Sequence, residues 1–430
     1  MTSAEARTAV LDDLEWRRMI ADHTDLDALR AAMGAGPVTY YGGFDPTAPS
    51  LHFGNLVLLV TMRRLQMAGH RPIGLVGGAT GLVGDPSGRT SERSLNEREV
   101  VEGWVERIRS QVERYLSFEG SNAAVIVNNL EWTGEMSAID WLRDVGKHFS
   151  VSRMLAKEAV SARLEAGGIS YTEFSYQVMQ ALDFLELYRR HGCTLQLGGS
   201  DQWGNLTAGV DLIRRVEGAT AHALATPLIT RPDGEKFGKS TGSTLWLDPA
   251  LTTPFAFYQW FVNADDSVVG RYLRVFSFRS KGEIEALETS SAAHPEAREA
   301  QRALAMEVTE LVHGTDAASA AAEASAALFG SGDLTSLDAA TLEAAFADLP
   351  RATVGGADGL PTVLDLFVNA GLSESRGAAR RVVGEGGAYV NNERVSDPAT
   401  VPDRSTLLAG RWLLLRRGKR NLAVAEVETP

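Results

Sequence analysis

From residue 38 to about 244 the chain alternates between two hydrophobic periods. Short apolar runs rich in β-branched and aromatic residues, at Val38 to Tyr41, Ile73 to Val76, Ala124 to Val127 and Thr194 to Leu197, read as buried strands. Between them, apolar residues recur at three- and four-residue steps over Leu51 to about Met67, Glu97 to Leu116 and Tyr171 to Tyr188, the pattern of amphipathic helices. Pro227 to Thr230 is strand-like as well. This alternation predicts an α/β fold, a Rossmann-like doubly wound parallel sheet over residues 1–244. Leu11, Leu14, Met19, Ile20, Leu26 and Leu29 give residues 1–37 a helical pattern. The block 130–170, with Trp132, Trp141, Leu142, Phe149, Met154 and Leu155, interrupts the alternation and reads as a helical insertion.

Beyond Thr244 strand signals fade, and residues 245–350 read as an α-helical domain, alanine-rich near 317–327. Small residues at 351–360 suggest a linker. Residues 361–430 then form a small α+β module: a helix from about Pro361, a break at Gly371-Leu372-Ser373, a helix bearing Arg376, Arg380 and Arg381, and a hairpin signal at Asn391-Asn392.

Charge changes this picture only locally. The net charge of −13 argues against a general nucleic-acid binder, but residues 361–430 hold ten Lys/Arg against eight Asp/Glu. The single cysteine, Cys193, excludes an internal disulfide, and no clustered Cys/His set suggests structural zinc. The start, M-T-S-A-E-A-R, lacks the basic and apolar blocks of a secretion signal, and no apolar run approaches bilayer length, so a cytoplasmic location is expected.

The candidate chemistry sits where strands give way to glycine turns. After Val38 to Tyr41 come Gly42-Gly43, the turn Asp45-Pro46-Thr47, and a helix that Ser50 is placed to cap, with His52 and Asn55 on one face of its first turn. A helix N-terminus suits a phosphate chain. Ile73 to Val76 opens into G-G-A-T-G-L-V-G-D-P-S-G, which carries Asp85. Tyr176, Gln180 and Asp183 share one helical face, and Gly198-Gly199-Ser200-Asp201-Gln202 is a further glycine turn opening a helix. Lys236-Phe237-Gly238-Lys239-Ser240 places two lysines three apart. No Ser-His-Asp or Cys-His arrangement is evident, so the set favours positioning and charge stabilisation over covalent catalysis.

These motifs, in this order, resemble the paired signatures of class I aminoacyl-tRNA synthetases. G-F-D-P-T, V-G-G-A-T-G-L-V-G-D-P-S-G, T-E-F-S-Y-Q-V-M-Q-A-L-D-F, Q-L-G-G-S-D-Q-W-G-N and K-F-G-K-S are similar to the bacterial tyrosyl branch over nearly the whole chain. The first signature commonly ends in His where this chain has Asn55, whose amide can also donate to phosphate. The resemblance implies a tyrosine–tRNA ligase, which joins L-tyrosine to AMP with ATP and Mg2+ as co-substrate and passes tyrosine to the 3′ end of tRNA(Tyr). No tightly bound cofactor or structural metal is expected. It further implies that Thr47, His52, Asn55, Lys236, Lys239 and Ser240 act at the phosphates. Tyr41 and Asp183 would hold the phenol, with Asp85, Tyr176, Gln180 and Gln202 completing the tyrosine site. Gly43, Asp45, Gly54, Gly199 and Asp201, with His52 and Lys239, would cradle ATP. The insertion would form a homodimer interface, residues 245–350 would bind the anticodon, and residues 361–430 would be an RNA-binding domain of the S-four ribosomal protein type. The competing readings are tryptophanyl-tRNA synthetase and a catalytically dead RNA-binding relative.

Overall fold

A computed structural model describes residues 3–87, 97–165, 167–230, 244–329, 333–347, 349–355, 359–418 and 421–428. Lys236, Lys239 and Ser240 therefore lie outside the described residues. The chain divides into two compact units, Met1–Leu251 with Asp265–Thr289, and Thr252–Ala264 with Ser290–Pro430.

The first unit is built on six strands: β1 (Asp22–His23), β2 (Thr39–Phe44), β3 (Arg71–Val76), β4 (Val125–Asn128), β5 (Cys193–Gly199) and β6 (His222–Thr226). They lie in the order β1-β6-β5-β2-β3-β4, parallel except for β1. Apart from the antiparallel edge strand β1, chain order runs outward in both directions from the β5/β2 pair, and ligands of doubly wound sheets sit at the carboxyl ends of strands at that switch point. The doubly wound expectation holds.

Several local expectations are corrected. The strand expected to stop at Gly42-Gly43 runs through both glycines to Phe44, because the ladder to β3 continues to Phe44–Val76. The following helix begins at Phe53, two residues after Leu51, and its cap is His52, not Ser50. The Leu51 N–H is taken by the Gln111 side-chain oxygen at 2.9 Å, which keeps it out of the helix. The strand expected over Pro227 to Thr230 is β6, ending at Thr226. Residues 1–37 form two helices, Ser3–Trp16 and Leu26–Ala35, separated by β1. The insertion is helical as expected, in short pieces from Leu130–Thr133 to Glu158–Glu165. It is fastened to the long helix Tyr171–His191 by a buried ion pair, Arg163 to Glu173 at 2.8 Å.

Asp265–Thr289, expected within the helical domain, belongs to the first unit. The reason lies around the helix Asp266–Phe276. Phe276 and Tyr272 pack on Phe53, with ring centroids 4.6 and 5.9 Å away. The Arg17 guanidinium donates to the carbonyls of Arg274 and Ser277 at 2.9 and 3.0 Å, serving the orphan acceptors that every helix end leaves.

The second unit contains the helices Pro254–Val262, Glu299–His313, Thr315–Phe329 and Ala339–Phe346 and a sheet ordered β7-β11-β10-β8-β9. Its strands are β7 (Arg351–Val354), β8 (Ala388–Val390), β9 (Glu393–Arg394), β10 (Trp412–Arg417) and β11 (Asn421–Val427). Asn391 and Asn392, both at positive φ (49° and 66°), make the two-residue hairpin turn that the Asn-Asn pair signalled. The linker expectation fails for residues 351–354, which form β7, parallel to β11.

Nor does the sheet stand apart as a separate module. Strand alternation sends Leu413, Leu415, Ala423 and Ala425 to one face, where the helices Val363–Asn369 and Arg376–Gly384 cover them. Trp412, Leu414, Leu422 and Val424 go to the other face and share a core with Ala324, Leu328, Leu342 and Phe346 of the preceding helices. Trp412 meets the Phe346 ring edge-on at 5.9 Å.

Trp412→Ala should therefore destabilise the helices of this unit together with its sheet, by about 3–5 kcal/mol, as large-to-small core changes do. Denaturant unfolding followed by far-ultraviolet circular dichroism checks this. Loss of the β-rich segment alone, with unchanged helical melting, would contradict the shared core.

Candidate active site

The first half of the site is the start of the helix Phe53–Met67. His52 holds an extended backbone, and its Nδ1 accepts from the Gly54 N–H at 3.0 Å. Asn55 Oδ1 accepts in return from the His52 N–H at 3.0 Å, closing a capping box. Gly54 is required here, since a Cβ would stand 2.9 Å from the His52 ring. These bonds decide which atoms remain for chemistry. Nδ1 as acceptor leaves the proton on Nε2, and Oδ1 as acceptor leaves the Asn55 NH2 to donate. Burial lowers the His52 pKa, so the imidazole is neutral at pH 7.

The segment before the helix is held on two sides. Gln111 accepts from Leu51 N–H at 2.9 Å and donates to Ser50 Oγ at 3.1 Å. Ser50 Oγ also receives the Asp248 N–H at 3.2 Å. Thr47 is exposed, beside a tight turn in which its N–H reaches the Asp45 carbonyl.

The second half is a hydrogen-bonded chain across the strand ends. The Tyr176 hydroxyl donates to Asp45 Oδ2 and the Thr80 hydroxyl donates to Asp45 Oδ1, both at 2.6 Å. Asn129 Nδ2 donates to Thr80 Oγ1 and to Asp183 Oδ2, both at 3.0 Å. Trp132 Nε1 donates to Asp183 Oδ1 at 2.8 Å. Gly77 leaves room for this chain, because its Cβ would fall 2.0 Å from Asp45 Oδ1. Beside it, Gln202 donates to Asp85 Oδ2 at 2.6 Å and accepts from Asn205 at 2.9 Å.

Burial is the main force on the titratable groups. It pushes Asp183 up to about 7 against the opposing hydrogen bonds from Asn129 and Trp132. It also raises Tyr41 and Tyr176, whose neighbouring carboxylates, Asp183 for Tyr41 and Asp45 for Tyr176, act in the same direction. Among the buried polar atoms without a partner are Tyr41 Oη, Gln180 Oε1 and Gln196 Oε1. Tyr41 and Gln196 are register partners on β2 and β5, so they share a sheet face. Buried polar atoms left bare in a well-satisfied site mark where a polar ligand can bind.

Among the residues expected from sequence, Tyr41 lies within β2 and Asp45 just past its end, Tyr176 and Asp183 lie within the helix Tyr171–His191, and Gln202, closing the turn Ser200–Gln202, meets Asp85. Asp45, expected to cradle ATP, is engaged by Tyr176 and Thr80. Asp201 lies in the single turn Ser200–Gln202 after Gly199. Thr80, Asn129, Trp132, Gln111 and Gln196 were not anticipated. Asn129 directly follows β4, and Thr80 comes four positions after the end of β3, which was the available signal. In the second unit Arg380 and Arg381 are exposed, while Arg376 pairs with Asp365 at 3.0 Å.

Comparison with known proteins decides the family. The description "tRNA synthetases class I (W and Y)" matches residues 33–330, and "Tyrosine--tRNA ligase SYY-like C-terminal domain" matches 341–425. The tyrosine–tRNA ligase of Streptomyces avermitilis is 61% identical over 98% of this chain and 99% of its own length. This chain belongs to the tyrosine–tRNA ligase family. The family member from Mycobacterium tuberculosis strain H37Rv is 57% identical over 97% of this chain and 98% of its own. A C-terminally truncated mitochondrial tyrosyl-tRNA synthetase of Aspergillus nidulans superposes with a TM-score of 0.67 at 30% identity, covering 74% of this chain and 96% of that one.

One prediction concerns the Asp183 environment alone. Trp132→Phe removes a donor that favours the ionised carboxylate, so the Asp183 pKa should move further above 7. Carboxyl-carbon NMR titration reads it; a downward move would mean that the indole does not stabilise the carboxylate.

Proposed function

We propose that this chain is a tyrosine–tRNA ligase that activates L-tyrosine with MgATP and transfers it to tRNA(Tyr). The observation that carries the reading is the bare, buried Tyr41 hydroxyl beside a carboxylate fixed by Asn129 and Trp132. A phenol hydroxyl can donate to Asp183 and accept from Tyr41, and each Asp183 oxygen keeps a lone pair beyond its present bond. The unpartnered Gln180 oxygen, with Asp85 and Tyr176, suits an ammonium group. Gln202 orients Asp85.

In this reading the tyrosine carboxylate attacks the α-phosphorus of ATP, and the bond to the β-phosphate bridging oxygen breaks as pyrophosphate leaves. His52 Nε2–H and Asn55 NH2 donate to phosphate oxygens at a helix N-terminus, with Thr47 beside them. Lys236, Lys239 and Ser240 serve the departing pyrophosphate. Gly43, Gly54, Gly199, Asp45 and Asp201 border the nucleotide. Mg2+ enters with ATP as part of the substrate, bound by phosphate oxygens and water. The tRNA ribose hydroxyl then attacks the acyl carbon and AMP leaves. Arg380 and Arg381, with Arg376, are the candidate RNA contacts in the second unit. No described helix is long and apolar enough to cross a membrane.

Pyrophosphate exchange tests the assignment: tyrosine should support it, and tryptophan should not. The Asp183 pKa adds a pH signature. The folded value, about 7, exceeds the ordinary 3.8, so protonation favours the folded state and this group's stabilisation declines as pH rises from about 4 through 7. Tyrosine binding has the opposite sense, since the phenol needs an ionised acceptor. Its affinity should weaken below pH 7, by up to about tenfold per pH unit for one proton. Asp183→Asn should bind weakly with a flat profile, losing roughly 10- to 150-fold as a hydrogen bond to a charge is lost. Equilibrium dialysis between pH 5.5 and 8.5 decides it, and a flat profile in the unmodified protein would remove Asp183 from the phenol.

We also propose a homodimer through the insertion. Ile139, Leu142 and Val151 are 69%, 56% and 60% exposed there, and Tyr171, at the start of the next helix, 71%, a density of large apolar side chains that favours a covering partner. Leu142→Asp should halve the mass measured by light scattering. A full-length chain monomeric before mutation would overturn the proposal.

A further inference from the structure

The two phosphate-end segments are connected by groups outside both motifs. The chain leaving the lysine motif runs beside His52: Leu247 N–H donates to the Leu51 carbonyl at 2.9 Å, and Phe53 N–H donates to the Leu245 carbonyl at 2.8 Å. The chain entering that motif is held differently. The Thr230 carbonyl, six positions before Lys236 in sequence, accepts from the Tyr272 hydroxyl at 3.2 Å. The Leu228 carbonyl accepts from the Arg271 guanidinium at 2.9 Å. Both donors project from the helix Asp266–Phe276.

Tyr272 is buried, and its ring meets Phe53 edge-on at 5.9 Å and Phe276 at 6.2 Å. Phe53 is the first residue of the helix that His52 caps. One side chain thus touches the element bearing His52 and Asn55 and also the backbone that leads to the lysines. The supporting helix is fixed in turn, with Arg17 and Arg64 donating to carbonyls at its C-terminal end. A hydroxyl aimed at a main-chain carbonyl adds little to packing that the ring already provides. Its distinct contribution is register.

We infer that Tyr272 is a positioning residue for adenylate formation, holding Thr230 in register with the Phe53 helix so that donors from both segments address one triphosphate. The inference rests on the assignment of His52, Asn55 and the lysine motif to the phosphates. It does not rest on the assignment of the tyrosine pocket.

Tyr272→Phe in the full-length chain keeps the ring and deletes only the hydroxyl. Adenylate formation, followed by rapid quench at saturating tyrosine and MgATP, should slow about five- to tenfold, the effect of one lost neutral hydrogen bond. The dissociation constant for tyrosine and the melting temperature should not change. Arg271→Met should slow the same step by a similar or smaller factor. In a Lys239→Ala background Tyr272→Phe should add little, because residues acting on one event are not additive. A full rate in Tyr272→Phe beside a slow Lys239→Ala overturns the inference alone. So does a fall in tyrosine affinity that matches the fall in rate, or a loss that multiplies fully onto that of Lys239→Ala. A full rate in Lys239→Ala itself would instead remove the phosphate-end assignment, and the inference with it.

Discussion

Asp183 is a carboxylate kept from water with only neutral hydrogen-bond donors at its oxygens, and the geometry of the strand ends follows from that constraint. An isolated buried charge is costly, so the group must either neutralise or find fixed dipoles. Here it does part of each. Its pKa stands near 7, and Asn129 and Trp132 each supply one N–H. Asn129 serves Asp183 only because its own carbonyl is occupied by the Ala79 N–H at 2.7 Å. Its NH2 is shared with Thr80, which in turn donates to Asp45. Moving β4 by one residue would displace Asn129 and break its bonds to both Asp183 and Thr80. A buried acceptor with lone pairs to spare and a bare hydroxyl nearby suit a neutral donor-acceptor group, which a phenol is and an indole or a phenyl ring is not.

The opposite end of the site solves a different problem with different means. A triphosphate is highly charged, yet the groups fixed nearest the helix start are neutral: an imidazole with a lowered pKa, a carboxamide and backbone N–H groups. Their dipoles are oriented by mutual capping before any ligand arrives, so little reorganisation accompanies charge development. This also explains why Asn55 can stand where His is common. Position 55 must accept from the His52 N–H and still donate outward, and a carboxamide has one atom for each task.

Strand and helix order was legible because apolar periodicity reports burial directly, and long motifs carried the identity of the family. What the pattern misplaced depended on distant partners. Leu51 looks like a first helical residue until its N–H is claimed by Gln111, sixty positions away. Residues 351–354 have the composition of a linker, yet they alternate exposed and buried and pair with β11 more than seventy positions later. Asn129, Trp132, Thr80 and Tyr272 were invisible for another reason. None of them titrates near neutrality, and their roles exist only as hydrogen bonds to residues distant in sequence.

The second unit shows how burial on both faces of a sheet changes the meaning of a terminal module. Had β10 and β11 been apolar on one face only, the two covering helices, of which Arg376–Gly384 bears the arginines, and their sheet could have hung from a flexible tether. Trp412, Leu414, Leu422 and Val424 instead complete the core of the alanine-rich helices, so exposing them would cost several side chains' worth of transfer free energy. Arg380 and Arg381 are therefore carried on a surface already fixed relative to those helices. RNA that engages both parts of this unit meets them in one arrangement, and the ordering entropy a tethered module would lose on binding has been spent in folding.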